Sequence, residues 1–129
     1  MTFMSDDEAR AALHRHWAAS DASDFVAEHA IYAEQAVLEY PQSAERIAGR
    51  GAIQASRMAQ PDSKRFSVRR VLGGGSLWIT ELVLVYGDKP VHVVSIMEFE
   101  AGQVVRETQY FADPFAPGAS RAQWVEATD

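Results

Sequence analysis

"SIMEFEAGQVVRETQYFADP", residues 95–114, holds two strand-like runs on either side of an Ala-Gly pair. Side chains two apart on a strand share a face, so a one-residue slip in pairing sends every side chain to the other face. The loop in "FEAGQ" therefore decides what the sheet shows to its interior. A two-residue type I′ turn would force Ala101 to positive φ, which is unfavourable for a residue with a Cβ. A three-residue loop with Gly102 as the left-handed bulge residue avoids that strain. The expectation is the bulged loop, which sets Ser95 opposite Glu107 and Val93 opposite Gln109.

The preceding hairpin is easier to read. "YGDK" (86–89) has Gly first, as a two-residue type II′ turn requires. That turn pairs Tyr86 with Lys89, and hence Leu82 with Val93, Thr80 with Ser95 and Trp78 with Met97. With the bulged loop, one face carries Trp78, Thr80, Leu82 and Leu84, then Val91, Val93, Ser95 and Met97, then Val105, Glu107, Gln109 and Phe111. Apolar walls with a few convergent polar groups are the composition of a pocket lining. The opposite face, with Ile79, Glu81, His92, Val94, Ile96, Thr108 and Tyr110, is mixed.

Upstream of these runs, "SDDEARAALHRHWAAS" opens with Ser5 and Glu8 at capping-box spacing. Ala9, Leu13 and Trp17 then form one apolar stripe. "DASDFVAEHAIYAEQA" reads as a second helix, with Phe25, Val26, Ile31 and Tyr32 as buried candidates. "VLEYP" is a short strand ended by Pro41, and "GRGAIQASRMAQP" is a third helix bounded by Gly51 and Pro61. "RFSVRRVL" and "SLWITELVLVY" are strands joined by "GGG", read as a flexible hairpin connection. "SRAQWVEA" is a candidate C-terminal helix. Helices first and an antiparallel meander afterwards argue for an α+β fold.

The 129 residues suit one domain, residues 1–129, with a real core. Nearly half the residues are hydrophobic, as in ordinary globular chains, and the net charge of −6 disfavours nucleic acid as a partner. With no cysteine, disulfides and thiolate chemistry are excluded, and a cytoplasmic setting is favoured. No apolar run reaches the ~20 residues of a membrane span. His14, His16, His29 and His92 show no ligand spacing, so no metal is expected. No nucleotide motif is present, so no cofactor is expected either.

Two segments, "IYAEQAVLEYPQSAERIAGRGAI" (31–53) and residues 95–114, with the helix order, resemble the nuclear transport factor 2-like superfamily in its SnoaL-like polyketide cyclase and ketosteroid isomerase branch. The resemblance implies a cone-shaped, strongly curved antiparallel sheet closed by the N-terminal helices around an apolar cavity. It also implies a homodimer formed through the outer sheet face. The residues that carry chemistry in that superfamily do not carry over. The aspartate base of the steroid isomerases falls at Tyr40, and their oxyanion-hole aspartic acid at Ser95. The last-strand aspartate of limonene-epoxide-hydrolase-like members falls at Gln109. Their Arg-x-Asp pair has no counterpart in "LWITELVLVY".

Glu107 is then the foremost chemical candidate. A carboxylate among Trp78, Met97 and Val105 would have its pKa raised by desolvation, suiting it to acid/base work. The competing reading is a Glu107 that is solvated or paired with an arginine. Tyr40 is either a donor to an oxyanion or a core tyrosine with its hydroxyl at the rim. Gln109 can orient a ligand carbonyl or hydroxyl. Ser95 and Thr80 either bind ligand or satisfy each other. Trp17, Trp78, Met97 and Phe111 would complete the wall. Two functions compete on this reading. One is binding of a small, largely apolar, carbonyl-bearing molecule with cofactor-free isomerase, cyclase or dehydratase chemistry through Glu107. The other is a non-catalytic ligand-binding or dimerisation module.

Overall fold

A computed structural model describes residues 4–128. The elements run α1 (Asp6–Asp21), α2 (Phe25–His29), β1 (Tyr32–Tyr40), β2 (Glu45–Ala48), α3 (Arg50–Met58), β3 (Lys64–Gly74), β4 (Leu77–Tyr86), β5 (Lys89–Glu100) and β6 (Gln103–Ala112). The six strands form one curved, unclosed sheet in the order β2-β1-β6-β5-β4-β3. The helices cover its concave face, which gives the cone-shaped α+β architecture expected. Every pairing is antiparallel except that of β1 with β6, which is parallel.

The capping box of α1 forms as read: the Ser5 hydroxyl accepts from the Glu8 amide, and the Glu8 carboxylate accepts from the Ser5 amide. Ala9, Leu13 and Trp17 are buried along one stripe. Turns of helix so placed expose little backbone and leave one apolar face to cover the sheet.

The expected second helix stops early. It ends at His29, and β1 begins at Tyr32, five residues before the expected strand. "YAEQA" has good helix formers, but Tyr32 is taken up by Val104 of β6 and its side chain is fully buried. Sheet pairing and burial override a weak local preference. Val26 is 76% exposed, whereas its helix neighbours Glu28 and His29 are buried, so the helix turns a different face inward from the one expected. The four-residue strand β2 was not foreseen. The C-terminal segment forms only a short 3-10 turn, Ala119–Arg121, with its apolar side chains Phe115 and Trp124 exposed.

The β4–β5 hairpin pairs as expected, from Tyr86 with Lys89 through to Trp78 with Met97. Gly87 has φ +62°, and Asp88 is not in the left-handed region, which fits a type II′ turn. The β5–β6 hairpin does not follow its expected route. Glu100 pairs with Gln103, so the loop has two residues, and Ala101 (φ +51°) and Gly102 (φ +80°) both take positive φ, the type I′ pattern. The extra residue lies further along. Phe99 pairs with Val104 and Glu98 with Arg106, so Val105 is a bulge. Ser95 therefore faces Gln109, and Met97 faces Glu107. One inserted residue, whether in the loop or in the strand, restores the same parity. Glu107 and Gln109 thus point inward as expected, while Val104 replaces Val105 on the buried face.

"GGG" is tighter than a flexible connection. Gly75–Ser76 alone make the turn between β3 and β4. At Gly73 (φ +150°) a Cβ would meet the Leu77 carbonyl oxygen at 2.4 Å, so this position accepts only glycine without a backbone shift.

Candidate functional site

The concave face of the sheet, α1 and α3 enclose a cleft of about 300 Å³. Trp17, Phe66, Leu82, Leu84, Val93 and Phe111 form its apolar walls, and Tyr40, Tyr86, Gln109, Arg57, Lys64, Glu28 and Glu45 supply polar groups. Of the residues read from the sequence, Trp17, Tyr40, Gln109 and Phe111 line this cleft. Thr80, Ser95, Trp78, Met97 and Glu107 lie beneath the lining, each at most 1% exposed. That is a correction to their expected place on the pocket surface. The sheet curves away under α1, whose Trp17 indole N–H donates to the Thr80 hydroxyl at 3.1 Å and seals that row. Trp78 donates to the Gly75 carbonyl at 3.0 Å and carries the Arg10 guanidinium over its ring.

Glu107 differs most from expectation. It is neither solvated nor unpaired. Oε1 accepts from the Tyr32 hydroxyl and from Arg57 Nη2 at 3.2 Å. Oε2 accepts from the Ser95 hydroxyl at 2.6 Å and from the Gln109 amide at 2.8 Å. Four donors nearly fill the capacity of a carboxylate. Burial alone would push this carboxyl up. The Arg57 charge, followed by His16 and the hydrogen bonds from Ser95 and Tyr32, outweighs it and holds the group below its usual range. The raised pKa expected from desolvation is therefore corrected, because desolvation meets an adjacent cation and a full set of donors.

Arg57, which the sequence reading did not single out, organises the site. It sits in the last turn of α3, four residues after the fully buried Ile53, so the two share a helix face. That spacing is the signal that could have found it. Its Nη1 donates to the Tyr32 hydroxyl at 2.9 Å and to His29 Nε2 at 3.2 Å, and its Nη2 to Glu107. Glu28 Oε2 lies 3.8 Å from Nη1. Burial works against the guanidinium charge, and Tyr32, Glu107 and Glu28 outweigh it, so Arg57 stays protonated. Since His29 Nε2 accepts from Arg57, its Nδ1–H donates to the Phe25 carbonyl at 2.6 Å, which fixes the neutral tautomer. Burial, with the Arg57 charge adding to it, lowers His29 to about 4.

Tyr40 sits at the mouth, tilted on Phe111 with ring centres 5.8 Å apart. Burial pushes its phenol up, so it is a donor at neutral pH. Gln109 must turn its NH₂ toward the acceptor-only Glu107 carboxylate, which leaves its carbonyl oxygen at the cleft surface with no partner among the described residues. Donor-bearing groups (Arg57, Tyr40) and an acceptor (Gln109 Oε1) thus share one apolar cleft.

Residues 10–107 match the SnoaL-like domain family. The chain belongs to that family. Among solved structures, this SnoaL-like chain is 50% identical to a nuclear transport factor 2-like protein of unknown function from Burkholderia xenovorans, with a TM-score of 0.92 over 98% of this chain and 99% of that one. It is 26% identical to a protein from Kribbella flavida provisionally described as a ketosteroid isomerase, with a TM-score of 0.87 over 98% and 94% of the two chains. A limonene-epoxide-hydrolase-like epoxide hydrolase of Mycobacterium tuberculosis shares the fold at 23% identity, with a TM-score of 0.64 over 78% and 79%. No curated protein matches the sequence. No helix among the described residues is long and apolar enough to cross a membrane. These neighbours share the fold and carry different activities in their names, so function is argued from the site.

Proposed function

We propose that this SnoaL-like protein binds a small, largely apolar, carbonyl-bearing molecule in the cleft between the concave sheet face and α3. The observation that supports it is the lining itself: aromatic and aliphatic walls around a few fixed polar groups. In this reading the rings of Trp17, Phe66 and Phe111 take up the hydrocarbon part. The carbonyl oxygen accepts from Tyr40 and from the N–H groups that Arg57 does not spend on its protein partners. Glu107 is a positioning residue, since its carboxylate orients Gln109 and Arg57 and does not reach the cleft. Binding without turnover is the reading this geometry favours, because a carboxylate held by four donors is a poor proton shuttle.

The same proposal includes a homodimer through the outer sheet face. Ile79, Val83, Val94 and Ile96 are only half-buried there, and Tyr110 is 43% exposed. These aliphatic side chains alternate with Glu81 and His92, and a partly apolar face of this kind suits cover by a second copy. Sedimentation at micromolar concentration that returned a monomer would remove the dimer from the proposal.

Titration with 1-tetralone, a bicyclic ketone, followed by tryptophan fluorescence, tests the binding itself. Saturable quenching that is lost in Trp17→Phe, and binding abolished by Leu84→Trp with the fold intact, are the expected results. No binding at millimolar ketone would reject the proposal. Binding that survives the filled cleft of Leu84→Trp would reject the location.

A further inference from the structure

Two carboxylates adjoin the Arg57 guanidinium, and only one is used up. Glu107 takes four hydrogen bonds. Glu28, in α2, lines the cleft with its side chain 7% exposed, yet among the described residues its carboxylate accepts no hydrogen bond. Among the described residues its one cation within 4.0 Å is Arg57, at 3.8 Å, beyond hydrogen-bond reach. Among the described residues no side-chain oxygen is both buried and unpartnered, so the Glu28 carboxylate opens onto the cleft, where a bound molecule can supply its donors. The other acid on the lining, Glu45, is exposed and already takes the Ser43 hydroxyl.

We infer that Glu28 is the ligand-binding carboxylate of the cleft, and that it accepts a hydrogen bond from a hydroxyl carried by the ligand. The inference rests on the cleft being a ligand site, and it narrows the class to hydroxy-substituted ketones. A hydroxyl fits better than a charged group. Glu28 and Glu45 are balanced along the lining by Arg57 and Lys64, so the site offers no net charge to an ion. The apolar walls likewise favour a neutral, ring-bearing molecule. A hydroxyl beside Glu28 supplies the donor that the protein withholds.

Glu28 is also separable from the fold. Taking it away leaves Arg57 in a one-to-one pair with Glu107, so the buried cation keeps its partner.

The test compares 1-tetralone with its 5-, 6- and 7-hydroxy derivatives and the matching methoxy ethers. Trying three ring positions prevents one wrong geometry from deciding the result. At least one hydroxy isomer is expected to bind wild-type protein about tenfold more tightly than both 1-tetralone and its own ether, the effect of one hydrogen bond to a charged acceptor. Glu28→Ala should erase that preference, so that the hydroxy isomer, its ether and 1-tetralone bind the variant with equal affinity. Glu28→Gln, whose amide oxygen still accepts but carries no charge, should keep an intermediate preference, and it carries the test if the alanine variant does not fold. Hydroxy isomers that bind no better than 1-tetralone would overturn the inference and leave the cleft reading standing. A preference that persists in Glu28→Ala would do the same. Failure of every ketone, 1-tetralone included, would remove both.

Discussion

Glu107 and Glu28 adjoin the same guanidinium from different elements, one on the last strand and one on the short second helix. Glu107 is sealed: strand β6 fixes its backbone, and Tyr32, Ser95, Gln109 and Arg57 each donate to it. Glu28 is enclosed but unspent, and its distance to Arg57 is 3.8 Å against 3.2 Å for Glu107. Burial alone does not distinguish them, because both are nearly inaccessible. Donor count does. A carboxylate whose acceptor capacity is filled by the fold serves the fold, and one left unfilled beside a cavity is open to a ligand.

The largest way to break this comparison is to remove what the two acids share. Arg57→Met should cost about 4 kcal/mol in urea unfolding at pH 7, since it strands two buried carboxylates. The pH dependence of that loss is informative. In the wild type the Glu107 pKa is below its unfolded value, so its contribution is present above about pH 4.5 and is lost as pH falls. Without Arg57, burial leaves the Glu107 pKa above the unfolded value, so that contribution reverses sign. The gap between variant and wild type should therefore widen from pH 4.5 to 7. A constant gap would mean that Arg57 does not set the Glu107 charge.

Glu107→Leu comes next, at about 3 kcal/mol, because three neutral donors and one side of Arg57 lose their acceptor. Had Glu107 been buried and unpaired, leucine would have stabilised the fold. An unchanged or raised unfolding midpoint would restore that picture. Glu28→Ala sharpens the contrast from the other side and should cost under about 1 kcal/mol, since no hydrogen bond is lost and Arg57 keeps Glu107.

His29 makes the network acid-sensitive. Its folded pKa is about 4 against an ordinary 6.5, so between those values the unfolded chain takes up a proton that the folded chain refuses. Stability should fall as pH drops from 6.5 toward 4, and His29→Gln, which can still accept from Arg57, should flatten part of that slope. An identical slope in the variant would place the acid sensitivity elsewhere. The smallest effect expected is at the β5–β6 turn. Ala101→Gly relieves a positive φ and, after the entropy of an added glycine, should stabilise by about 0.5 kcal/mol. A loss on calorimetry would argue against the type I′ turn.

These two carboxylates also mark what was legible in the sequence. The β4–β5 register could be read from "YGDK", because a Gly-first turn has one low-energy shape and fixes every pair behind it. The face shown by β6 was legible too, although by another route. The strain argument against Ala101 was physically sound, and the fold accepts that strain while placing its extra residue at Val105. What could not be read was which buried groups hold one another. Ser95, Thr80 and Met97 were assigned to the right sheet face, but their burial beneath the cleft lining depends on packing that no local pattern encodes. Neither Arg57 nor Glu28 was singled out, since nothing in the local pattern marks a helix charge as buried. Their burial depends on α2 ending at His29, and that in turn depends on Tyr32 being claimed by β6.

That last pairing has a temporal side. Strand β1 has its parallel partner about seventy residues further along the chain, so during synthesis it leaves the ribosome long before the edge it needs exists. The meander of β3, β4 and β5 can form from neighbours in sequence. Docking β1 must wait for β6 and must close a loop spanning more than half the molecule. The last strand to be made is therefore the one that joins the two halves, and it carries Glu107, so the hydrogen bonds from Tyr32 and Arg57 can form only once assembly is almost complete. Until then, Tyr32 and Leu38 of β1 lack the edge they pair with, and an interrupted chain would present that strand to any other unpaired strand it meets.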